Sequence, residues 1–152
     1  MNKRLCLGSG NAAEKGDGWV NIDVEDFGNN IVHDLDAMPW PFADNSFVEV
    51  KAVDVLEHLN NIVPAINEII RILKPGGKAF VQVPNGKYPE YVWTDPEHKR
   101  GFGERAFEYW DKTKGLCKHF GKSHNKGKYF ITNLKVRPLN LNLVFTFEKA
   151  QP

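Results

Sequence analysis

Cysteine is scarce in this chain of 152 residues: Cys6 and Cys117 are the only two. Two thiols make no disulfide framework, which excludes the small stapled scaffolds of oxidising compartments and predicts a cytoplasmic protein in a reducing setting. Long apolar runs are also missing. None approaches the roughly 20 residues of a membrane span. The opening "MNKRLCLGSG" has two basic residues but no apolar stretch of about 7–15 residues, so neither membrane association nor a secretory leader is expected. There is no G-K-[ST], hence no P-loop lysine, and the glycine turn at Gly8–Gly10 lacks the third glycine of the dinucleotide fingerprint. Internal repeats, low-complexity tracts and linkers are absent. At 41% hydrophobic and 12% aromatic, with four Trp and ten Phe, the chain has the material for a packed core, which predicts one domain spanning residues 1–152.

Charge balances overall at +1 but is unevenly spread. Residues 1–60 hold four Lys/Arg and eleven Asp/Glu, a net −7; residues 61–111 hold seven of each; residues 112–152 hold nine Lys/Arg and one acid, a net +8. Such asymmetry marks either contact with an anionic partner or a solvated lysine-rich loop.

The hydrophobic pattern alternates between strand and helix periods. "KRLCLG", "WVNIDV", "NIVHDL" and "FVEVKAVDVL" read as four strands. "NNIVPAINEIIRILKPGG" reads as the clearest helix, capped by Asn60 or Asn61. Its apolar face would be Ile62, Ala65, Ile66, Ile69, Ile70 and Leu73, and Pro75-Gly76-Gly77 would stop it. "KAFVQVP" is a fifth strand, "GERAFEYWDK" a short helix, and "KYFITNLKVRPLNLNLVFTFEK" an antiparallel pair turning at Pro138–Asn140. This order is α/β with a mostly parallel sheet and an antiparallel C-terminal hairpin. The eleven residues from Gly8 to Gly18 barely suffice for a parallel crossover, so the N-terminal side is lean in helix.

Ligands of open α/β sheets bind at the carboxyl ends of the strands. Gly8-Ser9-Gly10 ends the first strand by this reading, and Asp23, Asp34 and Asp54 end the next three. Three carboxylates around a glycine turn suit a cationic nucleoside better than a pyrophosphate. In the dinucleotide fingerprint the acid lies about 20 residues beyond the glycines; Asp23 is only thirteen past Gly10.

The motifs in register resemble those of the Rossmann-like class I S-adenosylmethionine-dependent methyltransferases, in a compact form that shortens the first crossover. "LCLGSGN" is similar to the family's glycine motif, "GWVNIDVED" to its ribose-binding motif and "IVHDLDAMPWPFADNSF" to its adenine segment. "VDVLEHL" is similar to its fourth-strand signature, "EIIRILKPGGKAFVQVPN" to the helix and fifth strand that follow, and "TDPEHKRGF" to an Asp-Pro-x-His-x-Arg segment of some compact members. The resemblance implies an enzyme that uses S-adenosylmethionine, with an acceptor that it leaves open. By position it implies a cofactor site of Gly8, Ser9 and Gly10 toward methionine and ribose, Asp23 on the ribose hydroxyls and Val24 on the adenine. Asp34 would take the adenine amine with Leu35 beside the ring, and Asp54 and Val55 would lie near the methionine amine.

Methyl transfer from a sulfonium is an in-line displacement dominated by positioning, and a base is needed only where the nucleophile must lose a proton. Two groups qualify. His58 follows the fourth strand and has a suitable intrinsic pKa, although a histidine there also serves to pack or cap the turn; Glu57 would bond backbone at the same turn. Asp95 and His98, with Arg100, lie in "YPEYVWTDPEHKRGF", an aromatic segment placed to cover the acceptor, where Tyr91, Trp93 and Phe102 could stack on it. No metal is expected: Cys117-x-His119 with His124 matches no zinc spacing. Residues 112–137 carry eight Lys/Arg, no acid and three interleaved aromatics, a composition that grips nucleic acid or another polyanion. Hence the alternative reading is a non-catalytic Rossmann-like module that binds polyanions through this region. An NAD-dependent oxidoreductase is a third reading, disfavoured by the missing glycine and the short Asp spacing.

Overall fold

The computed structural model describes residues 2–28, 30–125 and 129–151. Its strands are β1 (Arg4–Leu7), β2 (Trp19–Asp23), β3 (Ile31–Val32), β4 (Phe47–Val53), β5 (Leu73–Pro84), β6 (Ile131–Leu139) and β7 (Asn142–Lys149). Helices are α1 (Ile62–Ile72), α2 (Pro89–Val92) and α3 (Gly115–Asn125), with short 3-10 turns at Gly10–Ala12 and Leu56–His58. All seven strands join one sheet in the order β3-β2-β1-β4-β5-β7-β6. Neighbours from β3 to β5 run parallel, and β7 and β6 close the sheet as an antiparallel hairpin. The mostly parallel α/β sheet and its hairpin are as the sequence predicts.

Helix α1 forms because its apolar residues recur at helical spacing and its ends are chemically marked. Asn61 caps it, its side chain accepting from the Val63 N–H, and Leu73 leaves the helix with its N–H on the Ile69 carbonyl. Ala65, Ile66, Ile69, Ile70 and Ile72 are buried; each larger aliphatic side chain contributes about 1.5–3 kcal/mol by burial. Two polar residues are drawn in as well. Asn67 accepts from the indole N–H of Trp110 at 2.7 Å, and Glu68 accepts from the Trp40 backbone N–H at 2.8 Å while pairing with Arg71.

The sheet is packed on one face and wetted on the other. Along β4, Val50 and Ala52 are buried while Glu49, Lys51 and Val53 remain partly exposed. On β5, Ala79, Val81 and Val83 alternate with Lys78, Phe80 and Gln82 in the same way. Parallel strands covered on both faces read as continuous apolar runs, so this alternation is the local cause of the missing layer. The polar face carries a shallow groove of about 560 Å³ between Glu49, Lys78, Lys135 and Glu148. The crossover from Gly8 to Gly18 lies there as loop. Asn21 fastens it by two 3.0 Å bonds to the backbone of Glu14, and Lys51 pairs with the Glu14 carboxylate.

Several sequence-based expectations are corrected. "GERAFEYWDK" is not a helix: residues 103–110 form successive turns with i→i+3 bonds from Ala106, Glu108 and Trp110. Phe107 and Trp110, three apart, both enter the core, and i→i+3 turns place them on one side as well as a helix would. The "lysine-rich loop" contains a helix instead, α3, with Cys117 on its buried side. Leu73 belongs to β5, paired with Phe47, and β5 runs through Pro75-Gly76-Gly77 rather than starting after them. β3 is only two residues long, and β4 ends at Val53 before the 3-10 turn that takes Leu56.

Candidate active site

The chain leaves β1 toward β2 and β3 on one side and returns to β4 and β5 on the other. The strand order therefore reverses between β1 and β4, and a crevice opens at their carboxyl ends. A cleft of about 350 Å³ lies there, lined by Gly8, Asp23, Val24, Asp34, Leu35, Asp54 and Val55, together with Asp36, His58, Leu59 and Glu97. Seven of the nine residues expected around a cofactor thus share one cavity. Ser9 and Gly10 do not line it. Ser9 is buried just behind, and its hydroxyl meets no hydrogen-bond partner.

Asp23 holds the glycine turn itself. One carboxylate oxygen accepts from the Gly10 N–H at 2.8 Å and the other from Glu25 N–H at 3.1 Å. Each oxygen keeps a lone pair for a hydroxyl donor. Gly8 is obligatory by geometry: its φ is +56°, and a Cβ there would sit 2.5 Å from Val55 Cγ2. Val24 stands at the lip, 64% exposed, whereas Leu35 is buried. Asp34 accepts from the Asp36 N–H in a turn, and Asp36 clamps the start of α1 by accepting from Asn60 N–H and side-chain amide. Asp54 adopts a left-handed φ of 54° and takes the side-chain amide of Gln82.

A second cleft of about 260 Å³ adjoins the first and shares Asp54 and His58 with it. Its other walls are Glu57, Pro84, Tyr91, Thr94, Asp95, His98 and Asn142. The structure therefore gathers all three proposed base candidates. His98 donates from Nδ1 to the Val92 carbonyl at 2.7 Å; a carbonyl only accepts, so the proton sits on Nδ1 and Nε2 faces the cleft. That Nε2 lies 3.7 Å from Asp95 and 3.9 Å from Glu57. The His58 and His98 rings meet edge to face at 4.8 Å. Glu57 is fully buried; no neighbouring residue donates to its carboxylate, and its own backbone N–H, in line with the backbone-bonding role expected from sequence, offsets part of the burial. Burial pushes its carboxyl up to about 7, with the charge of Asp54 acting in the same direction.

The segment over this cleft is fastened at both ends. Gly86 N–H bonds Phe102 O, and Phe102 N–H bonds Pro84 O. Arg100 donates to the Leu59 and Asn60 carbonyls, and Lys99 N–H to the Glu57 carbonyl. Tyr91 lines the cleft as expected. Phe102 does not stack there, because those backbone bonds turn it into the core, and Trp93 points to solvent outside the cleft.

Residues 12–81 match the family model described as "Methyltransferase domain". The fold superposes on a solved S-adenosylmethionine-dependent methyltransferase from Archaeoglobus fulgidus with a TM-score of 0.73 at 12% identity, covering 98% of this chain and 86% of that one. The chain shares the fold of that solved methyltransferase, and the methyltransferase-domain match covers 70 of its 152 residues. Among curated proteins it is 36% identical over 67 residues to the sterol 24-C-methyltransferase of Pneumocystis carinii, covering 43% of this chain and 17% of that protein. It is 53% identical over 56 residues to an uncharacterised protein of Methanocaldococcus jannaschii, covering 37% and 22%. The chain thus spans less than a quarter of the length of these curated relatives.

Sequence reasoning overlooked Asp36, Leu59 and Glu97 in the first cleft and Thr94 and Asn142 in the second. Asp36 was legible as the second acid of "HDLDA"; Asn142 was not, since only the β5–β7 pairing brings it beside Pro84. In the basic region, Lys112, Lys118, Lys135, Arg137 and Phe120 are exposed, on α3, its approach and the edge strand β6. The side chain of His124 and residues 126–128 lie outside the described residues. No helix among the described residues is long and apolar enough to cross a membrane.

Proposed function

We propose that the chain is a methyltransferase enzyme that binds S-adenosylmethionine in the cleft of Gly8, Asp23, Asp34 and Asp54, and accepts its methyl group onto a substrate held in the adjoining cleft of Tyr91, Asp95, His98 and Asn142. The observation that carries this reading is the meeting of the two clefts at Asp54 and His58, where a donor and an acceptor would face one another. The residues fit the cofactor. Five carboxylates, those of Asp23, Asp34, Asp36, Asp54 and Glu97, line the first cleft without a lysine or arginine and suit a cation, and Gly8 admits close approach. When bound, the cofactor supplies a methyl group already activated on sulfur.

Asp23 would accept from the ribose hydroxyls while keeping the glycine turn closed. Val24 and Leu35 would flank the adenine and Asp34 its amine, and Asp54 and Val55 would border the methionine end. Gly10 would contribute through its turn rather than its N–H, which Asp23 already uses. On the acceptor side, His98 would take a proton at Nε2, oriented by its Nδ1–H bond to Val92. Arg137 is paired with Val144, which is paired with Gln82 beside Asp54, so the basic edge strand reaches the level of the clefts. That supports an anionic acceptor, nucleic acid among the candidates. Two free, buried thiols accord with a cytoplasmic setting.

Calorimetry with S-adenosylmethionine and S-adenosylhomocysteine tests the reading, and absence of binding by both up to millimolar concentration would reject it. Asp23→Ala should weaken binding by about 1.5–3 kcal/mol, the worth of a charge-assisted hydrogen bond. Binding of nucleic acid that ignores ionic strength would remove residues 112–137 as an electrostatic grip.

A further inference from the structure

Glu57, His58 and His98 each present a ligand atom within 4.8 Å of the other two, and they are the sole such group of three or more among the described residues. We propose that these three side chains bind a divalent transition-metal ion in the second cleft.

Four observations converge on a cation. First, Glu57 is fully buried and no neighbouring residue donates a hydrogen bond to either of its oxygens, an arrangement that is costly without a ligand. Second, the side-chain oxygen of Asn142, on the wall of the same cleft, is likewise buried without a partner. Third, no lysine or arginine lines the cleft to answer these acceptors, and Asp54 and Asp95 add further negative charge. Fourth, His98 is set up as a ligand. Its Nδ1–H is committed to the Val92 carbonyl, which fixes the tautomer and directs the Nε2 lone pair toward Glu57, 3.9 Å away. Such outer hydrogen bonds are what orient histidines at metal centres.

The donor set selects the ion. Two imidazoles and one carboxylate suit Zn²⁺, Fe²⁺, Co²⁺ or Mn²⁺, whereas Mg²⁺ and Ca²⁺ prefer oxygen shells. Bonds of about 2.0–2.2 Å to a tetrahedral ion put ligand atoms about 3.4 Å apart, so closing the group requires side-chain rotation of roughly an ångström. Three protein ligands leave at least one coordination position for the cleft. On the proposed function, that position is where an acceptor oxygen would bind, polarised by the ion; with the ion bound, His98 Nε2 is a ligand and not the base, and Asp95 on the same wall takes the proton. The spacing Glu57-His58 with a distant His98 matches no compact sequence motif, because the pinned segment, and not the sequence interval, brings His98 back over the turn.

The test uses untagged, chelator-treated full-length chain. Titration with Co²⁺ followed by visible absorption, and with Zn²⁺ followed by calorimetry, should show one ion per chain. Glu57→Gln and His98→Ala should each weaken binding at least about tenfold, while His119→Ala should leave it unchanged. Circular dichroism establishes that each variant is folded, and His58→Asn replaces one that is not. Absence of stoichiometric binding, or binding indifferent to all three ligand substitutions, overturns the site. S-adenosylhomocysteine binding measured on the same samples separates the two proposals. Its loss with metal binding intact rejects the cofactor reading alone, and the reverse result rejects the metal alone.

Discussion

Gly8 and Val55 both line the first cleft and approach one another closely, and the energetics of that approach can be isolated. Gly8→Ala imposes two penalties. The left-handed φ of +56° would cost a non-glycine residue about 1–2 kcal/mol. The new Cβ, 2.5 Å from Val55 Cγ2, adds an overpacking term of about 1–3 kcal/mol, since Val55 is buried and must shift. Together they predict a loss of about 2–5 kcal/mol, a large share of the stability of a small domain. Val55→Ala alone removes two methyl groups and should cost about 1–3 kcal/mol. In the double variant the clash has no partner, and Gly8→Ala should cost only its backbone part. The cycle should therefore show a favourable coupling of about 1–3 kcal/mol, well beyond the scatter of independent sites. Urea denaturation of the four proteins, with linear extrapolation, gives the quantity directly. Additivity within about 0.5 kcal/mol would refute the steric account and leave backbone conformation as the whole reason for the glycine.

Other consequences follow from groups remote from the cleft floor. Glu68→Ala removes the chief partner of the largely buried Arg71, leaving it Asp44 and the Phe42 and Trp40 carbonyls, and it orphans the Trp40 N–H. It should cost about 1–3 kcal/mol in urea unfolding while leaving S-adenosylhomocysteine affinity unchanged. Burial pushes the Cys6 thiol up, so its thiolate is disfavoured in the fold. Alkylation at pH 8 should be slow in native protein and fast in denaturant, and equal rates would show that Cys6 is accessible. The same shift has a signed effect on stability: the contribution is full below the unfolded thiol pKa and is lost as pH rises through the higher folded value. Cys6→Ala should therefore flatten the alkaline limb of the stability profile measured by thermal unfolding.

The sequence carried the sheet because each strand ends on a distinctive residue: Gly8, Asp23, Asp54 and Pro84 punctuate apolar runs. The same punctuation made the first cleft legible, since strand-end residues of neighbouring parallel strands must converge. What was hidden has a common cause. Phe107 and Trp110 mimic a helical face because an i, i+3 pair fits a chain of turns equally well. Helix α3 has Lys118 on its open side and only Cys117 among its described side chains buried, so its periodicity is faint. Phe102 looked like an exposed aromatic in a polar segment, but its backbone pairing to Pro84 and Gly86 turns it inward. The link between Glu57 and His98 spans about forty residues that include α1, β5 and α2, and no local pattern records it.

The short first crossover and the acid that arrives early are one structural solution. In a full dinucleotide unit a helix follows the glycine turn, and its N-terminus supplies aligned N–H groups to the ligand. Here only a single 3-10 turn follows Ser9, and the chain crosses the polar face as loop. The Gly10 N–H would then be left to water or to a ligand. Instead Asp23, thirteen residues on, accepts it at 2.8 Å. That bond ties the end of β1 to the end of β2 directly, doing with one carboxylate what the packing of a helix would do with a layer of side chains. It also changes the electrostatics: the turn presents a carboxylate where a longer crossover presents the positive end of a helix dipole. A pyrophosphate would be repelled by that substitution, and a ligand carrying ribose hydroxyls and net positive charge would not. The missing helix and the proposed preference for a cationic nucleoside thus have the same origin in the interval between Gly10 and Asp23.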